Sequence, residues 1–117
     1  MAQQKIDIDI SSSEGFRVLK PTGDLDVYTV GSLRDAIANI LEEDSPRVVV
    51  DLDSVPFMDS SGLGALMGGV RRLREAGGDL AISCTREQHL KLFSITGFGE
   101  GVSIAPTVEE AATGFRS

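Results

Sequence analysis

Residues 6–10 alternate between apolar and polar side chains in the way that β-strands do. Isoleucines and aspartates alternate over residues 6–10, which is the period-2 pattern of a strand with one buried face. The polar run 11–15 then predicts a turn, and residues 16–19 predict a second strand that ends at Pro21. Because the connection is short, we expect the two strands to form an antiparallel hairpin.

Two longer segments carry apolar residues at helical spacing, one over residues 29–43 and one over residues 61–76. The predicted buried stripes are Leu33, Ala36, Ile37, Ile40 and Leu41 in the first helix, and Leu63, Leu66, Met67, Val70 and Leu73 in the second. Between the helices, the continuous apolar run 48–52 predicts a central strand that is covered on both faces.

The rest of the chain repeats the strand–helix pattern in shorter pieces. Strands are predicted over residues 80–84 and 102–105, and helices over 86–94 and 107–113. His89 stands among polar residues, so we expect it on the surface of its helix. The element order predicts an α/β domain with a mixed sheet: an N-terminal antiparallel hairpin, then parallel β-α-β units, covered by about four helices.

The composition disfavours several classes of protein, among them nucleic-acid-binding, membrane-spanning and secreted proteins. The 117 residues include eleven Lys and Arg against eighteen Asp and Glu, which gives a net charge of −7 and disfavours binding to nucleic acid. No apolar run approaches the ~20 residues that span a bilayer, and the first residues lack the apolar core of a signal peptide. We therefore expect a cytoplasmic protein without membrane or nucleic-acid partners. One cysteine and one histidine predict neither a disulfide nor a metal site.

The segment with the most chemical information is residues 55–64, V-P-F-M-D-S-S-G-L-G, which joins the central strand to the second helix. A helix N-terminus carries unpaired N–H groups and partial positive charge, and so favours an anion. Ser60 and Ser61 fall at this terminus, while Gly62 and Gly64 leave room for another protein to approach the hydroxyls. Ordinary helix capping explains the same residue types, so both interpretations stay open at this point.

Two runs of residues resemble the STAS domain family, and within it the stand-alone anti-sigma factor antagonists of partner-switching systems. They are T-G-D-L-D at 22–26 and F-M-D-S-S-G-L-G at 57–64, of which the second is the more specific. The predicted order of elements is also similar from about residue 6 to residue 115. The resemblance implies that residues 1–117 form a single STAS domain that has no cofactor and is not an enzyme.

The resemblance also implies a mechanism. The unphosphorylated form would bind an anti-sigma factor, which is often a serine kinase, and so free the sigma factor. Phosphorylation at Ser60 would block this binding, and a serine phosphatase would reverse it. The implied partner-binding residues are Asp26, Asp59, Ser60, Ser61, Gly62, Leu63 and Gly64. A turn before the first helix explains Asp26 equally well, and capping is the favoured role for Ser61.

Two alternatives remain beside this one. A STAS module can serve another regulatory complex or a transporter system, although the complete D-S-S-G-L-G run disfavours a transporter role. The run from Asp51 to Asp59 also resembles the phospho-aspartate segment of receiver domains. That interpretation is weak because the chain lacks an adjacent acidic pair after its first strand and a lysine after its last.

Overall fold

Five strands form one mixed sheet in the computed structural model, which describes residues 6–115. The strands are β1 (Asp7–Ser13), β2 (Phe16–Thr22), β3 (Arg47–Asp51), β4 (Asp79–Ser83) and β5 (Ile104–Ala105). They lie in the order β1-β2-β3-β4-β5, with β1 antiparallel to β2 and every other pair parallel. This arrangement confirms the predicted hairpin followed by parallel units. It also differs from receiver domains, whose doubly wound parallel sheet has the order 2-1-3-4-5.

Four α-helices cover the sheet unequally. They are α1 (Val30–Ile40), α2 (Ser60–Glu75), α3 (Glu87–Thr96) and α4 (Val108–Ala112). The first three connect strands that are neighbours both in the chain and in the sheet, so right-handed crossovers put them on one face. The short α4 packs on the opposite face. Since α2 connects β3 to β4, it lies between α1, which precedes β3, and α3, which follows β4.

The central strand β3 holds the two layers together. Val48 and Val50 face the large core under α1, α2 and α3, while Val49 faces the small cluster under α4. All three are fully buried, as the uninterrupted apolar run predicts. Burying a side chain of this size stabilises a fold by roughly 1.5–3 kcal/mol. The packing of this strand therefore holds the start of the loop that follows it in place.

The hairpin is longer than its sequence suggests. β1 continues through the serines to Ser13, and the turn consists of Glu14 and Gly15, with Gly15 at a φ of 85°. β2 likewise passes through Pro21 to Thr22. Proline is tolerated there because β2 pairs with β3 only as far as Leu19, so on that side no ladder hydrogen bond is lost.

Two predicted exposures are wrong. His89 is 2% exposed, and its Nε2–H donates to the carbonyl oxygen of Val55 at 2.7 Å. A polar side chain is accepted in the core when a partner of this kind satisfies it. Met67 was expected in the buried stripe of α2 but is 51% exposed. It follows Ser60 by seven residues, close to two helical turns, and so shares that residue's outward face.

Cys84 gives a direct test of the packing. Its side chain lies in the main core, and burial raises the pKa of the thiol above its ordinary value. Since the thiolate is the reactive form, we expect iodoacetamide at neutral pH to label Cys84 far more slowly in the folded protein than in urea. Labelling followed by intact-mass spectrometry measures the two rates. Equal rates would contradict the buried position.

Candidate functional site

Two loops at the carboxyl ends of β2 and β3 are hydrogen-bonded to each other. We call residues 22–29 the first loop and residues 52–59 the second loop. The N–H of Leu25 donates to the carbonyl of Phe57 at 2.9 Å, and the N–H of Asp59 donates to the carbonyl of Leu25 at 3.3 Å. The N–H of Gly23 donates to Ser54 at 3.1 Å. These bonds continue the parallel pairing of the two strands and bring together the runs T-G-D-L-D and F-M-D-S-S-G-L-G.

Asp59 caps α2. Its Oδ1 accepts the backbone N–H groups of Ser61 at 2.8 Å and Gly62 at 3.2 Å, and its own backbone is extended. The capping role assigned to Ser61 was therefore wrong, because Ser61 donates to the cap from inside the first turn. Ser60 is the first residue of the helix, and its side chain is exposed. Its hydroxyl is therefore accessible from solvent.

The glycines beside Ser60 have different reasons to be glycine. Gly62 is buried, and a Cβ there would lie 2.6 Å from Met58 Cγ and 2.7 Å from the carbonyl oxygen of Leu25. Close packing of the two loops explains this glycine without any partner. Gly64 is exposed, with nothing within 4 Å of an added Cβ. Only Gly64 leaves an open surface next to the serine.

The remaining predicted site residues divide by burial. Leu63 is 6% exposed and belongs to the core, so its side chain faces away from any partner. Asp59 and Ser61 are half-buried at the start of α2. The loop pairing brings the half-buried Asp26 to the same edge of the sheet as Ser60.

Asp26 builds the turn into α1. Its Oδ1 accepts the backbone N–H of Tyr28 at 2.9 Å, and its own N–H donates to Thr29 Oγ1 at 2.9 Å. Its carbonyl accepts the N–H of Val30, the first residue of the helix, at 2.9 Å. These contacts support the turn interpretation of this aspartate.

The charged side chains of the two loops are all acidic, and Arg86 from outside the loops donates its Nε–H to the carbonyl of Asp53 at 2.9 Å. Residues 22–29 and 52–61 contain four aspartates, Asp24, Asp26, Asp53 and Asp59, and no lysine or arginine. Asp53 is held by Thr85, whose N–H donates to its Oδ1 at 2.7 Å. The ion pairs of the described residues, Arg17–Glu43 and Arg74–Asp79, include none of the four. The surface around Ser60 is therefore acidic.

Sequence reasoning missed the exposed apolar side chains of this region. Val27 and Tyr28 in the first loop are 62% and 77% exposed, Phe57 in the second loop is 52% exposed, and Met67 lies on the outer face of α2. One signal was available, since Tyr28 is the single tyrosine of the chain and stands in a loop between two predicted elements. Large apolar residues in such a place are typical of binding surfaces.

Among residues 6–115, no three or more His, Cys, Asp and Glu side chains are grouped so that they could hold a metal ion. Over the same residues, no helix combines the length and the hydropathy that crossing a bilayer requires.

The profile of the STAS domain matches residues 7–111. The chain belongs to the STAS domain family. An anti-sigma-B factor antagonist of Staphylococcus aureus is 32% identical over 92 residues, which cover 79% of this chain and 85% of that protein. The family match and the fold thus confirm the resemblance found in the sequence.

Solved STAS structures are similar over nearly the whole chain. The crystal structure of an anti-sigma factor antagonist from Mycobacterium paratuberculosis has a TM-score of 0.84 and 26% identity, covering 96% of this chain and 95% of that one. The Bacillus cell fate determinant SpoIIAA, solved in its phosphorylated form, has a TM-score of 0.71 and 25% identity, covering 94% of this chain and 100% of that one. A phosphorylated state therefore exists on this fold.

The Asp59 cap can be tested by two substitutions. Asp59→Ala removes the acceptor for two helix N–H groups and should lower the free energy of unfolding by about 1 kcal/mol, within a range of roughly 0.5–2 kcal/mol. Asp59→Asn keeps an oxygen acceptor and should cost much less. Urea denaturation of both variants measures the difference. Equal stability of Asp59→Ala and wild type would contradict the capping role.

Gly62 and Gly64 form a matched pair of positions in one helix. Gly62→Ala should destabilise the protein, by about 1–3 kcal/mol, because the new methyl group overpacks the contact with Met58 and the backbone of Leu25. Gly64→Ala meets no atoms and should stabilise α2 by up to about 1 kcal/mol. Thermal unfolding compares the two. A similar effect of both substitutions would contradict the close packing at Gly62.

Proposed function

We propose that this STAS domain is an anti-sigma factor antagonist that is switched by phosphorylation at Ser60. In the unphosphorylated state, the face around Ser60 binds an anti-sigma factor, which then releases its sigma factor. The observation that carries the proposal is the exposed hydroxyl at the first position of α2, at the edge where the two acidic loops meet. The names of the relatives in Staphylococcus aureus and Mycobacterium paratuberculosis support the same partner class.

The geometry supports an effect of the phosphate on partner binding and not on the stability of the fold. Phosphorylation adds about −1.5 to −2 charge at pH 7. The helix N–H groups of Ser61 and Gly62 already donate to Asp59, so they are not free to bind the phosphate, which faces solvent and an approaching partner. The fold itself gains or loses little. The charge falls instead on the surface that a partner must desolvate.

The size of the effect is sufficient for a switch. Like charges brought together across an interface cost several kcal/mol, and each 1.4 kcal/mol changes affinity tenfold. The phosphate stands beside Asp59 and on the same edge as Asp26, so the partner face suited to the neutral serine meets a concentrated negative charge. We expect the dissociation constant to rise by about a hundredfold or more.

The chain acts as a substrate in this proposal. The anti-sigma factor is itself the serine kinase, and it holds ATP and Mg²⁺ in its own pocket. The γ-phosphoryl group moves from ATP to the Ser60 oxygen as its bond to ADP breaks, ADP leaves, and the hydroxyl proton passes to a base of the kinase. A serine phosphatase hydrolyses the phosphoserine and restores the binding form. Both reactions take place in the cytoplasm, where sigma factors act.

Three substitutions at Ser60 separate charge from size. Ser60→Ala should bind the anti-sigma factor as wild type does and should not accept phosphate. Ser60→Asp should bind at least tenfold more weakly, because it places a carboxylate on the acidic face. Ser60→Asn has the size of the aspartate without its charge and serves as the matched control. Calorimetry with the purified anti-sigma factors of the source organism measures each dissociation constant.

The proposal fails if Ser60→Asp binds as tightly as Ser60→Asn. It also fails if wild type binds none of these anti-sigma factors. Incubation with ATP and the anti-sigma factor, followed by mass spectrometry, tests the kinase part separately. Phosphate located at another residue in that experiment would contradict the assignment of Ser60.

A further inference from the structure

Four large apolar side chains are exposed on the two paired loops and on α2, the elements that meet at Ser60. We call Val27, Tyr28, Phe57 and Met67 the apolar rim. Six large hydrophobic residues are exposed within residues 6–115, and the rim contains four of them. The other two, Ile10 and Ile95, lie on β1 and at the end of α3. Exposed apolar area is thus concentrated where the phosphorylation motif lies.

The rim residues come from three elements that meet at this edge of the sheet. Val27 and Tyr28 directly precede α1, whereas Phe57 lines a cavity of about 300 Å³ together with residues of α3. Since α2 lies between α1 and α3, Ser60 at its start is flanked on both sides. Met67 extends the surface along α2, about 10.5 Å from Ser60 along the helix axis.

Asp26 holds Tyr28 in its exposed position. The carboxylate of Asp26 binds the backbone N–H of Tyr28, and Thr29 Oγ1 binds the N–H of Asp26 and donates to the carbonyl of Asp24 at 2.8 Å. The turn is therefore fixed before any partner arrives. Because the backbone of this turn is already ordered, binding through Tyr28 loses little backbone entropy, and tyrosine is a residue type enriched in interface hot spots.

The negative charge around the rim indicates which kind of partner surface fits it. The loops that carry Val27, Tyr28 and Phe57 contain four aspartates and no basic residue. A partner that matches this surface has an apolar centre with lysine or arginine residues around it. An acidic or uniformly polar face would leave the rim uncovered and add like-charge repulsion.

We infer that the apolar rim is the main contact through which this chain binds the anti-sigma factor, at an apolar face bordered by basic residues. Asp26 is a positioning residue that holds Tyr28 for this contact. The inference rests on the proposed function and specifies its partner surface. The rim supplies the affinity, and the phosphorylation state of Ser60 beside it decides whether the anti-sigma factor can bind.

The rim can be tested by alanine substitution with a matched control. Tyr28→Ala and Phe57→Ala should each weaken binding to the purified anti-sigma factor by about tenfold or more. Ile95→Ala, which truncates a side chain that is 73% exposed on α3, should leave the affinity unchanged. Thermal unfolding of the three variants should be near that of wild type, because all three side chains are solvent-exposed.

The charge match is tested by ionic strength. Raising salt from about 50 mM to about 500 mM should slow association, because screening weakens steering between complementary surfaces. Asp24→Asn should reduce this salt dependence. Glu75→Gln removes a charge at the far end of α2 and is the control. Salt-independent association of wild type would overturn the basic partner face.

The positioning role of Asp26 requires its own readout. Asp26→Asn keeps an oxygen acceptor for the Tyr28 N–H and should bind nearly as wild type, while Asp26→Ala should approach the affinity of Tyr28→Ala. Adding Asp26→Ala to Tyr28→Ala should cause little further loss, because both act through one side chain. Additive losses would instead assign Asp26 a direct contact.

The outcomes distinguish the two proposals. If Tyr28→Ala and Phe57→Ala bind like Ile95→Ala while Ser60→Asp still loses binding, the rim inference is wrong and the proposed function stands. If wild type binds no anti-sigma factor of the source organism, the proposed function fails and the rim inference fails with it. Self-association of the chain that Tyr28→Ala abolishes would assign the rim to a second copy and overturn the inference.

Discussion

The hydrogen bonds between Leu25 and the second loop are the constraint on which the site depends. Leu25 donates to Phe57 and accepts from Asp59, so one fully buried residue fixes the backbone on both sides of Met58. Gly62 then packs against the carbonyl of the same leucine. Two segments that are more than thirty residues apart in the chain thereby become one rigid edge. Asp26, Asp59 and Ser60 take their places from this pairing.

Burial and exposure are sharply divided across this edge. The side chains of Leu25, Met58 and Leu63 are in the core, whereas those of Tyr28 and Phe57 face solvent. The local backbone produces this division: the turn at residues 26–29 exposes Val27 and Tyr28 together, while Met58 points inward beside the exposed Phe57. The inward residues hold the loops in place, and the outward residues are free to meet a partner. In the proposed interface, stability and recognition therefore use different side chains of the same segments.

The sequence predicted the architecture well because periodicity reports burial directly. The apolar run 48–52 and the helical stripes determine which elements pack together, and the order of elements then restricts the topology. The predicted helix and strand ends differ from the observed ones by a few residues, for example 29–43 against 30–40 in α1. Helix ends depend on local caps and turns, which periodicity does not report.

The site was predicted less completely, for reasons that particular residues show. The burial of His89 depends on the Val55 carbonyl, a backbone group that lies 34 positions away in sequence. The choice of Asp59 over Ser61 as the cap depends on backbone angles in the loop. Gly62 was interpreted as room for a partner because a sequence does not show which atoms lie beside a Cβ. Each of these features depends on tertiary structure, which sequence patterns do not report.

The double anchoring of the second loop has a consequence for how fast the protein responds. Leu25 fixes this loop from one side, and the imidazole of His89 fixes it from the other through Val55. In the proposed switch, a loop held in this way would not have to rearrange when Ser60 gains or loses a phosphate. The modifying enzymes, and no refolding step of this loop, would then set the time course of the response.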